Sequence, residues 1–220
     1  MPSALANCNG ANPVVAWAIG GEPFSFPPEA GYPFGNTDGG FIYGLMETHY
    51  DNYDQVSWHD TSGLRIWYLE GADMRQYDAG IATFGAGGGF SVPALNPSYV
   101  HSGVCPGSCT NNMDVAEVNV FATQLHAHLI GRNLIAKHIR SGVELAPIAN
   151  EPHYDFNFQN FDVKRKPYPK IKRGDTIDVQ CTFDSSGRST VTQAGLGATN
   201  EMCLMCMCIP FYRTALHALV

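Results

Sequence analysis

Charge is scarce in this chain of 220 residues, because Asp, Glu, Lys and Arg make up only 15% of it, against about a quarter in an average soluble protein. The 13 basic residues are outnumbered by 20 acidic ones, and the net charge of −7 argues against a nucleic-acid-binding role. The chain also lacks an apolar run of about 18 residues, so no membrane span is predicted. Its first eight residues have neither the basic nor the apolar region of a secretory signal, so none is predicted there.

Turn-forming and aromatic residues are plentiful instead, with 23 Gly, 14 Pro, 12 Phe and 10 Tyr in a chain that is 45% hydrophobic. This composition favours an all-β protein with a sizeable core. Glycine-rich residues 85–89 predict a loop, since no helical pattern follows them as a dinucleotide-binding fingerprint requires. Strands are predicted at residues 41–50, 64–69, 115–130, 177–183 and 202–210. Short strands separated by turns predict a β-sandwich or jelly roll.

The first candidate for chemistry is His126-Ala127-His128. Residues i and i+2 of a strand point to the same side, so the two imidazoles suit one metal ion. With 8 His in the chain such a pair also arises by chance. Two polar residues on a half-buried strand are therefore the alternative interpretation.

Met202 and His49 are further candidate ligands. A thioether is a soft ligand, and added to two imidazoles it favours Cu(I) over Zn(II). Taken alone, Met202 reads as a core side chain and His49 as a structural histidine in a strand.

Seven cysteines are an odd number, which leaves at least one without an intramolecular partner. A bridge between Cys181 and Cys203 would close a loop of about 22 residues and contribute about 3 kcal/mol. The alternative is a Zn or Cu(I) thiolate site. Its ligands would come from Cys105, Cys109, Cys203, Cys206 and Cys208.

Several segments, taken together and in order, resemble the copper type II, ascorbate-dependent monooxygenases, and most closely their dopamine β-hydroxylase and tyramine β-monooxygenase branch. The leading one is Gln124-Leu125-His126-Ala127-His128-Leu129-Ile130-Gly131-Arg132. The others are residues 14–20, 28–31, 47–52, 62–65, 77–80, 174–175 and 200–203. Because they follow the family's order and near-family spacing, the resemblance is more specific than any one motif.

The resemblance implies an all-β architecture of jelly-roll β-sandwiches. Residues 1–72 would be the C-terminal part of an incomplete N-terminal copper monooxygenase domain, and residues 73–76 a linker. Residues 77–220 would be a nearly complete C-terminal copper domain. The family location implied is secreted, or in the lumen of secretory vesicles.

The resemblance also implies the cofactors and the reaction. His126, His128 and Met202 would bind the catalytic copper, and His49 would be one of three ligands of an electron-transfer copper. Cys181 and Cys203 match a family disulfide. The reaction is hydroxylation of an activated C–H bond with O2, using electrons from ascorbate, and each family member uses two coppers.

Two positions bear on the substrate. The peptide-amidating branch of the family has an Arg two residues before the first histidine and a Tyr four residues after the methionine. This chain has Gln124 and Cys206 there. Gln124 resembles the amine-hydroxylating branch, which implies a phenylethylamine-like substrate, whereas Cys206 fits neither branch. A peptidylglycine-type hydroxylase is therefore an alternative.

The chain departs from the family in three places. It has no adjacent His-His pair, so His49 lacks the other two ligands of its copper. Cys8 lacks its family partner, and no C-terminal cysteine is left to pair with Cys105 or Cys109. These departures predict a truncated member that binds one copper and lacks complete catalysis. There are two non-enzyme alternatives: a catalytically inactive copper-binding jelly roll and a metal-free extracellular interaction domain. The sequence leaves the oligomeric state open.

Overall fold

The computed structural model describes residues 14–35, 42–46, 48, 50, 52 and 54–211. Within these ranges the chain forms fourteen β-strands, a four-residue α-helix and a single 3-10 turn. This composition confirms the predicted all-β class. None of the helical segments in the same ranges has the length and apolarity that crossing a bilayer requires.

The strands are short except for five, which have seven to ten residues and build the central ladders. In chain order they are β1 (Ala30–Gly31), β2 (Tyr77–Ala86), β3 (Ser91–Val92), β4 (Tyr99–Cys105), β5 (Glu117–Asn119), β6 (Ala122–His126), β7 (Gly131–Arg140), β8 (Val143–Glu144), β9 (Ala149–Glu151), β10 (Asp162–Val163), β11 (Lys170–Lys172), β12 (Thr176–Phe183), β13 (Thr192–Gln193) and β14 (Cys203–Phe211). The helix α1 spans Gly107–Thr110, and the 3-10 turn spans Gly71–Asp73.

Two larger sheets hold most of these strands. The first sheet has the order β1-β2-β14-β6-β10, and the second has the order β4-β12-β7-β8 with β9 also paired to β7. The pairs β11–β5 and β13–β3 form two small ladders. Apart from the parallel β1–β2 pair, the ladders between named strands are antiparallel.

The main core lies between the two sheets. Alternate residues of β12 are buried, as expected for a strand with one face on a core. Phe183 of β12 and Met205 of β14 are fully buried in the same apolar cluster, and burying each such side chain contributes about 1.5–3 kcal/mol. A disulfide between Cys181 of β12 and Cys203 of β14 joins the two sheets covalently, as the family resemblance implied.

The outer face of the first sheet is covered by the chain that precedes it. Phe24 and Phe26 pack against Phe121 and Cys208 in a second apolar cluster. The Arg75 guanidinium fixes this covering segment, because it donates hydrogen bonds to three of its backbone carbonyl oxygens. These belong to residues 26, 27 and 30 and lie at 2.7–3.0 Å. The sheet that carries the histidine pair is therefore buried on both faces in this region.

Two strand predictions in the first third of the chain are wrong. Residues 64–69 form no ladder, and those of residues 41–50 that the structure describes are irregular as well. Large side chains there are exposed, with Ile66 at 74% and Trp67 at 76%. Hydrophobic alternation makes a strand only where a neighbouring strand satisfies its backbone groups, and none pairs with these residues in the described part of the chain.

Other predictions need smaller changes. Residues 115–130 form two strands, β5 and β6, rather than one. At the break the Val120 N–H donates to Pro169 and the Phe121 N–H donates to Cys208, so the chain changes partners there. Gly85 and Ala86 end β2 instead of lying in a loop. The predicted strands at residues 177–183 and 202–210 are confirmed to within one residue as β12 and β14.

Candidate metal centre

The two histidines of the His-x-His motif lie side by side at the end of β6. Their ring centroids are 5.0 Å apart, with the ring planes at 78°. His126 is the last residue of β6 and lies opposite Leu204 of β14, whereas His128 follows the strand and is buried. The sequence predicted two residues on one strand, but His128 lies outside it, so strand periodicity alone does not bring the rings together.

A buried carboxylate shapes the chain after β6. Glu201 is fully buried, and its two oxygens accept hydrogen bonds from the His128 N–H at 2.8 Å and the Ile130 N–H at 2.9 Å. Burial raises the pKa of Glu201, while these backbone N–H groups oppose the rise. One side chain therefore satisfies two buried donors and fixes the turn that carries His128.

The Nδ1 atoms of both rings have partners. His128 Nδ1 lies 3.0 Å from the Asn200 carbonyl oxygen. A carbonyl oxygen only accepts hydrogen bonds, so Nδ1 carries the proton and Nε2 of His128 has a free lone pair. His126 Nδ1 lies 2.5 Å from the Gln159 side-chain oxygen.

Burial keeps His126 in the form that metal binding needs. It lowers the pKa of the imidazole, the hydrogen bond with Gln159 opposes that effect, and the neighbouring His128 lowers the pKa further. A neutral imidazole has a lone pair for a metal, whereas an imidazolium has none.

Met202 supplies the third donor of the predicted set. It is partly buried and lies between Glu201, which contacts the His128 backbone, and Cys203, which is held in the disulfide. In the described ranges, His, Cys, Asp and Glu form no group of three that could hold a metal. Met202, the third residue of the predicted ligand set, would add a thioether, a ligand type that suits copper.

His49 lies outside the described residues, so its predicted role stays a prediction. The two positions that bear on substrate are resolved. Gln124 and Cys206 face each other across the β6–β14 ladder, two residues from the His126–Leu204 pair. Because alternate residues of a strand share a face, Gln124 lies on the same face as His126.

The five cysteines named as possible thiolate ligands, all of which the structure describes, do not form such a site. Cys105 and Cys109 are bonded to each other, so the expectation that one of them lacks its partner is wrong, and Cys203 is in the other disulfide. Cys206 and Cys208 are free and buried. Burial raises the pKa of both thiols, that of Cys208 to about 12, which keeps them protonated and poor metal ligands.

Sequence reasoning missed the residues that hold the motif in place. Glu201 is one of them, although a carboxylate directly before the candidate ligand Met202 is a signal that could have marked it as an anchor. Gln159 and Tyr154 lie some 30 residues after the motif. No local pattern marks them, because they reach the motif through the tertiary fold.

Comparison with known proteins identifies the family of this chain. Residues 77–218 match the C-terminal domain of copper type II ascorbate-dependent monooxygenases, and residues 1–57 match the N-terminal domain. The chain belongs to this family. The C-terminal match contains the histidine pair and Met202, and the family's name gives its cofactor and its reductant.

Individual relatives agree with this assignment. The chain is 38% identical over 194 residues to tyramine beta-hydroxylase of Caenorhabditis briggsae, covering 87% of this chain and 32% of the relative. It is 37% identical to human DBH-like monooxygenase protein 1 and 31% identical to human dopamine beta-hydroxylase. These matches cover 93% and 92% of this chain, and 33% of each relative. The chain thus spans about a third of the length of these relatives.

Proposed function

We propose that this chain provides the catalytic-copper half of a monooxygenase that hydroxylates an activated C–H bond of a phenylethylamine-like substrate. The observation that carries the proposal is the paired imidazoles, each tied at Nδ1 to a fixed group. Family membership supports copper as the metal. The names of the relatives, which include tyramine and dopamine hydroxylases, support an amine substrate.

His126, His128 and Met202 would hold the copper. When bound, copper supplies the one-electron redox chemistry that allows O2 to react with a C–H bond. The chain's own contribution is to favour the neutral form of His126 by burial and to orient both rings, since Glu201 and Asn200 fix the position of His128. The thioether favours the reduced ion.

Gln124 lies where a substrate contact is expected, on the His126 face of β6. Its side-chain amide donates to the Gln159 carbonyl oxygen at 3.2 Å, so it is held in place and carries no charge. An uncharged amide there offers no ion pair to a carboxylate, which favours an amine over a peptide with a free C-terminus.

The proposed electron-transfer copper, the reductant and the location concern residues outside the histidine pair. Residues 1–72 would be part of an N-terminal domain in which His49 binds an electron-transfer copper, and ascorbate would be the reductant. His49 alone provides one of three ligands, so we expect one tightly bound copper per chain and no full turnover. The two disulfides support a secreted or vesicular location.

The number of Cu(I) ions bound per chain tests the proposal. We expect one ion bound to the full chain, lost in His126→Ala. It should be kept in His153→Ala, because His153 is exposed and outside the site. No tight Cu(I) in the unmodified chain would overturn the proposed metal site. Two ions would show that His49 finds other ligands.

Turnover separates the catalytic proposal from its alternatives. With one copper bound, we expect no ascorbate-dependent hydroxylation of tyramine by this chain alone. Turnover of tyramine would refute the expected loss of catalysis and support the amine specificity. Turnover of a glycine-extended peptide would instead favour the peptidylglycine-type alternative.

A further inference from the structure

One short segment contacts all three residues of the histidine motif. Residues 154–159 follow β9, and each of three side chains in the segment meets a different motif residue. Tyr154 meets the middle one, Ala127, whose N–H donates to the Tyr154 hydroxyl at 3.1 Å. The same hydroxyl donates to the Ala127 carbonyl oxygen at 2.5 Å. Both backbone groups of the residue between the histidines are thus paired with one buried side chain.

The second contact is with His128. The Phe156 ring lies 6.0 Å from the imidazole, centroid to centroid, at an interplanar angle of 85°. This edge-to-face geometry is favourable for aromatic pairs. The Phe156 contact limits the rotation of the His128 ring that the single hydrogen bond to the Asn200 carbonyl oxygen still allows.

The third contact is with His126, and it determines where the imidazole proton lies. The Gln159 side-chain nitrogen donates to the Phe156 carbonyl oxygen at 2.7 Å. Since a carbonyl oxygen cannot donate, the nitrogen end of this amide must be the end at Phe156. The oxygen end therefore faces His126 Nδ1, 2.5 Å away, and only a protonated Nδ1 can pair with it.

We propose that residues 154–159 are the positioning element of the histidine pair, and that Gln159 is the positioning residue that sets the tautomer of His126. With the proton fixed on Nδ1, the lone pair of His126 is on Nε2, as it is in His128. Both histidines then present the same nitrogen before any metal arrives. Only the last step, that a metal uses these nitrogens, rests on the proposed function.

A simple packing role would give a different result. Gln159 is only partly buried, and its backbone carbonyl already accepts from Gln124. Substituting its side chain leaves that backbone link in place and removes the oxygen opposite His126. A packing role predicts changed stability with an unchanged tautomer, whereas a positioning role predicts a changed tautomer.

The test uses long-range 1H–15N NMR spectra of the imidazole rings in the metal-free full chain, at a pH where the rings are neutral. The His126 signals are assigned by comparison with His126→Ala. We expect the Nδ1–H tautomer in the unmodified chain and a shift toward Nε2–H in Gln159→Met. Gln159→Glu loses the donor to the Phe156 carbonyl oxygen but keeps an acceptor oxygen for His126, so it should restore Nδ1–H. Gln193→Met, at an exposed glutamine of β13, is the matched control and should change nothing.

Two results would overturn the inference. One is a His126 ring in the unmodified chain that is mainly Nε2–H, which needs no variant to detect. The other is an unchanged tautomer in a folded Gln159→Met. The His128 signals serve as an internal reference, because the Asn200 carbonyl, not Gln159, holds that ring.

Cu(I) affinity links the tautomer to the metal. Residues that orient metal ligands typically change affinity about 10–100-fold when they are mutated. We expect a loss of about tenfold or more in Gln159→Met and recovery to within a few-fold in Gln159→Glu. If the unmodified chain binds no Cu(I), the proposed function fails while the NMR result still decides the positioning role. If it binds Cu(I) and the tautomer does not respond to Gln159, the positioning role alone fails.

Discussion

Replacing Glu201 is the most direct way to test how the fold prepares the histidine pair. Its carboxylate is fully buried and is the acceptor for two backbone N–H groups, at His128 and Ile130. Because these two N–H groups are paired with a buried carboxylate, water cannot take over as their acceptor unless the core opens. Loss of this acceptor should therefore lower the free energy of unfolding and loosen the turn that carries His128.

The structure gives the expected size of the effect. A buried donor left without an acceptor costs about 1–3 kcal/mol. Glu201→Gln keeps one oxygen and strands one N–H, while it also removes a carboxyl group whose burial raises its pKa. These effects partly offset each other, so we expect a loss of about 1–2 kcal/mol. Glu201→Ala strands both donors, so we expect about 2–6 kcal/mol.

Urea unfolding of the metal-free full chain, with its disulfides intact, measures these differences. Glu144→Gln is the matched control, since Glu144 is exposed in β8 and surface changes usually stay within about 0.5 kcal/mol. We expect the free energy of unfolding to fall from the control to Glu201→Gln and further to Glu201→Ala. Cu(I) affinity should fall in the same order. A Glu201→Ala variant as stable as the control would refute the assigned role of the carboxylate.

Two further predictions concern stability away from the histidines. Removing the Cys181–Cys203 disulfide, with its sequence separation of 22, should cost about 3 kcal/mol. Removing Cys105–Cys109, with a separation of 4, should cost about 2 kcal/mol; the reverse order in urea unfolding would contradict the loop-length argument. Burial alone would raise the pKa of Asp175, but hydrogen bonds from Arg140, the Lys172 backbone and His138 outweigh it and hold that pKa well below its usual range. A lowered folded-state pKa stabilises the fold above the unfolded-state pKa, so the free energy of unfolding should fall between about pH 5 and pH 2. Asp175→Asn should show a shallower fall in pH-dependent unfolding, and an unchanged slope would show that other carboxyls dominate.

The strands predicted correctly from the sequence are those that have an apolar pattern and are also paired with neighbouring strands in the fold. The alternation in β12 and the continuous apolar run in β14 match two strands that are each flanked on both sides in their sheets. Residues 64–69 have comparable apolar content and no ladder. Local pattern cannot reveal whether a pairing partner exists, because the partner lies far away in sequence.

In the candidate site, too, local sequence marked some residues and not others. The candidate ligands were predicted from the spacing of His126 and His128 and from the resemblance of the segment around Met202, and their role stays a prediction. The groups that orient them were not, because Gln159 and Tyr154 meet the motif only after the chain has passed through β7 and β9. The cysteines illustrate the opposite error. Comparison with the family implied a missing partner for Cys105 or Cys109, whereas Cys105 at the end of β4 is bonded to Cys109 in α1.

Four consecutive residues explain how a copper site could be prepared by this half of the chain without the irregular residues 64–69. The Asn200 carbonyl orients the His128 ring, and the Glu201 carboxylate fixes the backbone beneath it. Met202 carries the thioether, and Cys203 ties the segment to β12 in the opposite sheet. Every partner of these contacts lies within residues 77–211, the part of the chain that supplies every strand of the two sheets except β1. The geometry of the histidine pair should therefore depend on the two packed sheets and not on residues 64–69.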